Sequence, residues 1–322
     1  MKVAITDYSF ANLEIEERLL GAQGHEIVAW KDRRPAADLP ALVADADAVI
    51  TQFAPLSADV IASMRQARVI VRYGIGVDNV DLQAARARGI PVCNIPDYCI
   101  DEVADHTLAL LLALTRQVVS NCEHLRQGHW GLASGLDSMR ALRDLTVGVV
   151  GFGRIGREVA RRLQAFKARV LVHDPIVPPT EVEQRGCVPT SLDRLLADSD
   201  AISLHCPSTA ETRGLLNRDS LARAKTGVLV LNLARGDLID SSALMEALSS
   251  GKVAAAALDV FAPEPIPPDH PILQMSNVIV SPHVASASVP AVRKLRETAA
   301  RLAIMAIKGD ALPFVVNGVG AT

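Results

Sequence analysis

One segment, Leu145 to Phe166, constrains this chain more than any other. An apolar run, LTVGVV, leads directly into Gly151-Phe152-Gly153-Arg154-Ile155-Gly156, and the residues after it, REVARRLQAF, carry apolar side chains at helical spacing. Strand, glycine turn and helix in that order form the opening of a dinucleotide-binding βαβ unit. The first glycine permits the tight turn, the second lets the backbone approach a pyrophosphate, and the third lets helix and strand pack closely. The first-turn N–H groups and the helix dipole favour phosphate. Gly151, Gly153, Arg154, Ile155 and Gly156 are therefore candidate cofactor contacts, against the competing reading of a glycine-rich turn with no ligand. The next strand-like run, ARVLVHDP, ends in Asp174, eighteen residues past Gly156. An acid near that spacing accepts from a ribose 2′-hydroxyl and repels a 2′-phosphate, so the expected cofactor is NAD rather than NADP.

The rest of the chain repeats the alternation. Residues 2–95 contain KVAIT, HEIVAW, DAVIT, RVIVRYG and PVCNIP, separated by helical stretches such as NLEIEERLLG and DLQAARARG. From Leu145 onward there are six strand candidates, LTVGVVGFG, ARVLVHDP, DAISLHCP, GVLVLNLARG, VAAAALDVF and NVIVSPH, the number of a complete dinucleotide-binding sheet. Each run is nearly all apolar rather than alternating, which is the pattern of parallel strands buried on both faces. Between the two series, Asp101 to Gly128 reads as one long helix, apolar nearly all round at its middle and so buried. Trp130 to Arg143 has no sustained period and reads as an arm or loop. Pro263 to Pro271 reads as a loop, and Pro290 to Lys308 as the last helix.

Composition bounds the function. At about 150 residues per domain, 322 residues make two domains. A net charge of −3 leaves no bulk positive excess to hold a phosphate backbone, so nucleic acid is not an expected partner. No apolar run approaches the roughly 20 residues that span a bilayer, and the start MKVAITDYSF lacks a signal-peptide pattern, so a cytoplasmic protein with no membrane segment is expected. Five cysteines with no C-x-x-C pair suggest reduced thiols, with no disulfide framework and no metal site. Aromatic residues are only 3%, so Ala, Val, Leu and Ile must fill helix-on-sheet cores, which favours an α/β protein.

Ligands of open α/β sheets sit at the carboxyl ends of strands. Arg235 follows VLVLNLA, Glu264 follows VAAAALDVF and His283 follows NVIV, so all three belong to one sheet edge. A guanidinium there can hold a carboxylate by two parallel hydrogen bonds, and a histidine beside a carboxylate can exchange a proton near neutrality. Singly, the arginine could equally make a structural salt bridge and the histidine could cap a turn. In the first series, Tyr73-Gly74-Ile75-Gly76 follows RVIVR, where two glycines can turn several N–H groups toward an anion. A plain turn into the next helix is the alternative.

Taken together, VRYGIGVDNVD, PVCNIP, GVVGFGRIGREVA, SLHCPSTAETRGLLN, LVLNLARGDLID, AAALDVFAPEP and NVIVSPHVASAS resemble, in order and spacing across nearly the whole chain, the D-isomer-specific 2-hydroxyacid dehydrogenases. The resemblance implies two doubly wound parallel-sheet domains. A Rossmann NAD-binding domain, residues 101–286, would be inserted into a discontinuous flavodoxin-like substrate domain, residues 1–100 and 287–322, with the active site in the cleft. It implies interconversion of a 2-oxo acid and a D-2-hydroxy acid. Arg235 would clamp the substrate carboxylate and polarise its carbonyl, His283 would be the general acid and base, and Glu264 would orient it. The Tyr73 to Gly76 loop would give backbone donors to the carboxylate. Asp259 would lie near the nicotinamide, and Cys206, Pro207, Thr212 and Ala234 would line the cofactor. The resemblance also implies a homodimer paired through the long helix and the arm, and a chain without the appended C-terminal regulatory domain of longer phosphoglycerate dehydrogenases. Several stretches also resemble C-terminal-binding-protein relatives, NAD-dependent scaffolds of the same fold, but Ala285 and Ser286 stand where those carry an aromatic residue. Gln52, Phe53, Tyr73 and the Trp130 to Arg140 arm are the candidates to line the substrate side-chain pocket, and the acid itself is not legible.

Overall fold

The apolar runs become strands of two parallel sheets in a computed structural model that describes residues 1–320. The chain divides into two units, Met1–Tyr98 with the segment from Ser288 onward, and Cys99–Ala287. The first begins β1 (Lys2–Ile5), α1 (Glu14–Gly21), β2 (Glu26–Ala29), α2 (Leu39–Val43), β3 (Ala48–Thr51), α3 (Ala58–Ser63), β4 (Ile70–Arg72), α4 (Leu82–Ala87) and β5 (Val92–Cys93). The second runs α5 (Ile100–Thr115), α6 (Val118–Arg126), β6 (Thr146–Val150), α7 (Arg154–Ala165), β7 (Arg169–His173), α8 (Pro179–Gln184), β8 (Val188–Pro189), α9 (Leu192–Asp198), β9 (Ala201–Leu204), α10 (Arg218–Arg223), β10 (Val228–Asn232), α11 (Ser241–Ser249), β11 (Val253–Leu258) and β12 (Val278–Val280). The chain then returns to the first unit as α12 (Val289–Lys308).

The smaller sheet has the order β2-β1-β3-β4-β5, the flavodoxin-like arrangement, and every pairing is parallel. Period two sorts its side chains. Val3, Ile5, Ala48, Ile50, Val69, Val71 and Tyr73 pack toward Leu20 of α1 and Leu295, Ala299 and Ala303 of α12. Ala4, Val49, Ile70 and Val92 pack toward α2, α3 and α4 through Leu39, Val60 and Ala85. Both faces are thereby covered, as a parallel sheet requires.

The larger sheet has the order β12-β11-β10-β9-β6-β7-β8. Counted from β6 this is the doubly wound order 3-2-1-4-5-6 with one further strand, and the order reverses between β6 and β9. The six apolar runs supply six of its strands. The seventh, β8, is a two-residue edge ending in Pro189, which pairs with β7 at Leu171 and Val172. So short a segment has no readable period, and an edge tolerates its proline.

Asp101 to Gly128 is not one helix. α5 stops at Thr115, Gln117 takes a left-handed conformation with φ 52°, and α6 begins at Val118. The Thr115 carbonyl accepts from Arg140 N at 2.9 Å, so the segment that follows α6 ties down the end of α5. α5 itself is buried as expected, through residues that include Leu108, Leu111 and Leu114. It is pinned to α7 by the Arg162 guanidinium, which bonds Asp101 and Asp105 at 2.7 and 2.6 Å. No helix among the described residues is long and apolar enough to cross a membrane.

Candidate active site

The glycine turn sits at the switch point of the larger sheet. Gly151, with φ 93°, closes against the strand end across the switch, and a Cβ there would lie 2.7 Å from Cys206 N and the His205 carbonyl. A Cβ on Gly156 would strike the Gly151 carbonyl, so that position brings α7 against the turn. Gly153 is different. It is exposed, and nothing lies within 4 Å of where its Cβ would stand. A phosphate can therefore approach the backbone there, where the first N–H groups of α7 have no acceptor within the helix. These residues fit a dinucleotide pyrophosphate.

Asp174 braces the same turn. Its carboxylate accepts from Phe152 N at 2.7 Å, Ile176 N at 2.8 Å and Val177 N at 3.0 Å. Burial raises its pKa, but these three N–H groups and His173 outweigh it, and the group is held below the ordinary carboxylate range. A carboxylate has about four lone-pair sites, so Asp174 retains capacity for a ribose hydroxyl. Across the switch, Cys206 is half-buried and its thiol is pushed up to about 11 by burial, which keeps it neutral. Thr212 Oγ1 donates to Pro207 O at 2.6 Å and accepts from Thr209 N at 2.8 Å, so Thr212 shapes the Pro207 loop. Ala234 packs on the core of this unit.

Three adjacent strands, β10, β11 and β12, carry the other candidates at their carboxyl ends. Asn232, the last residue of β10, donates from Nδ2 to Arg235 O at 2.8 Å and accepts from Ala234 N at 3.1 Å, which fixes the turn that presents Arg235. Gly236 follows, and a Cβ there would collide with the Phe261 carbonyl. Only glycine lets the Arg235 turn approach the loop after β11 so closely. In that loop Glu264 accepts from Phe261 N at 2.9 Å through Oε1, and its Oε2 lies 2.8 Å from His283 Nδ1. Burial raises the Glu264 pKa, but the His283 contact and charge, the Phe261 N–H and the Arg235 charge outweigh it and hold the carboxyl below its ordinary range.

His283 has φ 53°, a left-handed conformation uncommon outside glycine. Asp259 enforces it. His283 N donates to the Asp259 carbonyl at 2.7 Å. The Asp259 carboxylate accepts from Ser281 Oγ at 2.6 Å, Val284 N at 3.0 Å and Ala285 N at 2.9 Å. With 1% of its surface exposed, Asp259 is a clamp on the His283 turn in this structure. For Asp259 the resemblance implies only a place near the nicotinamide, and the roles of Asn232 and Gly236 come from the structure. Their signal was an asparagine closing the otherwise apolar VLVLN, with a glycine four residues on.

In the smaller unit the Tyr73 to Gly76 turn follows β4. The Tyr73 ring is buried, its N–H donates to Thr51 O at 2.8 Å and its carbonyl accepts from Arg72 Nη1 at 3.0 Å. This corrects the expectation that Tyr73 lines a pocket or donates to a ligand. Its side chain lies in the core because it shares the strand parity of Val69 and Val71. Gly74 has φ 150°, its N–H bonds Arg72 O at 2.8 Å, and the Arg72 guanidinium occupies the space its Cβ would need. The N–H groups of Ile75 and Gly76 make no hydrogen bond among the described residues and are the donors that the turn can offer. Nearby, the buried Asp7 carboxylate accepts from Gln52 N, Phe53 N and Ala54 N at 3.0, 2.7 and 3.1 Å. The Gln52 amide is engaged by Ser9 at 2.6 and 2.9 Å.

This combination of fold and site has known counterparts. Residues 108–285 match the family model described as D-isomer specific 2-hydroxyacid dehydrogenase, NAD binding domain. The chain is 41% identical over 300 residues to the D-3-phosphoglycerate dehydrogenase of Mycobacterium tuberculosis, covering 92% of this chain but only 56% of that protein. It is 37% identical to the glyoxylate reductase of Korarchaeum cryptofilum over 96% of this chain and 95% of that one. Among solved structures it superposes on Aquifex aeolicus D-lactate dehydrogenase, complexed with NAD and lactic acid, with a TM-score of 0.86, 29% identity and 96% of each chain covered. The chain belongs to the D-isomer-specific 2-hydroxyacid dehydrogenase family and carries that family's NAD-binding domain.

Proposed function

We propose that the protein reduces a small 2-oxo acid to the D-2-hydroxy acid with NADH, and catalyses the reverse reaction with NAD. The observation that supports this reading most is the contact between His283 Nδ1 and Glu264 Oε2, at the same sheet edge as Arg235. With Nδ1 turned to the carboxylate, Nε2 is the nitrogen that addresses the substrate. Bound NADH supplies the hydride. Arg235 holds the substrate carboxylate by its planar fork and draws electron density from the carbonyl oxygen. His283, protonated and charge-balanced by Glu264, gives a proton to that oxygen as negative charge develops on it. In the reverse direction neutral His283 takes the hydroxyl proton. Asp259 keeps the imidazole in place, and in the smaller unit the N–H groups of Ile75 and Gly76 are donors suited to a carboxylate. Asp174 disfavours a 2′-phosphate.

The relatives act on glyoxylate, hydroxypyruvate, lactate and phosphoglycerate by their names, so the substrate class is a short 2-oxo acid. The test is NADH consumption with glyoxylate, hydroxypyruvate, pyruvate and 3-phosphohydroxypyruvate, with the configuration of the product determined. Turnover of at least one acid to the D product is expected. Tight NADH binding with no turnover would instead favour a scaffold that uses NAD to set its shape. The homodimer reading is supported by Val118, Leu125 and Leu136, which are exposed apolar residues on α6 and the segment after it, and by Trp130, which is 93% exposed. A monomer mass by light scattering would end it.

A further inference from the structure

Three buried polar side chains meet beneath the turn that follows β4. The Tyr73 hydroxyl donates to Glu16 Oε1 at 2.9 Å. Arg296, on α12, reaches the same carboxylate with Nε at 2.9 Å to Oε1 and Nη2 at 2.6 Å to Oε2, and Nη2 also bonds Asn12 O at 2.8 Å. Glu16 has no exposed surface, Tyr73 has 1% and Arg296 has 7%. The Tyr73 ring stands edge-on to Phe10 at 5.3 Å between centroids, and the Arg296 guanidinium lies 4.9 Å from the centroid of the same phenylalanine. Burial, then the Glu16 charge, pushes the Tyr73 hydroxyl well above its ordinary range, so it stays a donor.

Stability alone does not account for this cluster. A fully buried ion pair costs desolvation on both sides, and well-packed apolar residues of similar volume are often as stabilising. What the cluster fixes is geometry. Tyr73 is the residue through which β4 enters the turn, and its far end is tied to α1 and, through Arg296, to α12. The turn is held from its other side as well, since Gly74 O accepts from Ile95 N at 2.9 Å and Ile75 O from Asn94 Nδ2 at 2.7 Å. Backbone donors recognise a carboxylate well only if they are already in place.

We infer that Glu16 and Arg296 are positioning residues that act through the Tyr73 hydroxyl to hold the Ile75 and Gly76 N–H groups ready for a substrate carboxylate. The inference rests on the proposed role of that turn. Tyr73→Phe in the full chain removes one hydroxyl and keeps the ring and the ion pair. Hydrogen exchange at the Tyr73, Gly74 and Ile95 amides, whose bonds to Thr51 O, Arg72 O and Gly74 O hold the turn, should rise several-fold while peptides from β1 do not change. KM for the preferred 2-oxo acid should rise about tenfold, the scale of one buried hydrogen bond, with a smaller change in kcat and an unchanged NADH Kd. Glu16→Leu with Arg296→Met, an apolar replacement of the pair, should melt near the wild type and reproduce the KM effect. If that double variant does not fold, Tyr73→Phe decides alone. Unchanged exchange in Tyr73→Phe overturns the positioning role whatever the activity. Raised exchange with unchanged KM shows a turn held by the cluster but not for a carboxylate, and also overturns the inference, as does an equal loss of NADH affinity. A wild type inactive on every 2-oxo acid overturns the proposed function and this inference with it, while the exchange data still report whether the cluster holds the turn.

Discussion

His283 Nδ1 lies 2.8 Å from Glu264 Oε2, although 19 positions separate them in the chain. Because Glu264 is held below its ordinary value of 4.5, the folded protein favours the carboxylate. Its contribution to stability is complete above that ordinary value and is lost as pH falls through the depressed one. Glu264→Gln keeps the shape and removes the charge, so imidazolium loses its counter-ion. Reduction draws its proton from that imidazolium, so the glutamine variant should lose kcat for reduction by more than it loses NADH affinity. Steady-state kinetics and NADH titration of both proteins check this, and an unchanged kcat breaks the pair.

Asp259→Asn leaves one carbonyl oxygen where three donors converged. One of Ser281 Oγ, Val284 N or Ala285 N then loses its acceptor, at a cost of about 1–3 kcal/mol. The left-handed His283 turn should loosen. A fall in kcat larger than the fall in NADH affinity, with a lowered Tm, is the expected result of kinetics, fluorescence titration and calorimetry.

Arg235→Lys keeps the charge and loses the planar fork. We expect kcat/KM to fall by about two orders of magnitude, which is about 3 kcal/mol of transition-state stabilisation. Both parameters should suffer, since the carboxylate is held throughout and the carbonyl contact strengthens only as charge develops. Near wild-type kinetics would place Arg235 outside the reaction.

Asp174→Ala removes the acceptor of Phe152 N, Ile176 N and Val177 N together with the charge at the end of β7. NADH binding should weaken and the preference over NADPH should narrow. Titration of wild type and variant with both cofactors measures the change. An unaltered preference would limit Asp174 to bracing the turn.

The sheets were legible because parallel strands buried on both faces leave apolar runs, and each expected run became a strand. β8 was not, since two residues ending in proline have no period. The break between α5 and α6 was hidden as well. Gln117 is not a helix breaker, and the change of direction involves Arg140, 25 residues from Thr115, taking a helix-end carbonyl. In the site, strand-end position put Arg235, Glu264 and His283 on one edge. The clamps that aim them, Asn232 and Asp259, depend on which strand ends adjoin, and that follows from sheet order rather than from local pattern. The Tyr73 ring was readable in principle, since period two from Val69 and Val71 sends it to the core, but the glycines beside it equally fit an anion-binding turn.

His283→Ala tests the chemistry most directly. Wild type and variant would be compared for reduction of the preferred 2-oxo acid, with NADH Kd measured on the same preparations. The expected result is a loss of kcat of at least about a hundredfold, the lower range for a general acid, with NADH Kd within about twofold of wild type. An alanine variant that turns over at the wild-type rate would contradict the assignment of His283 as the proton donor.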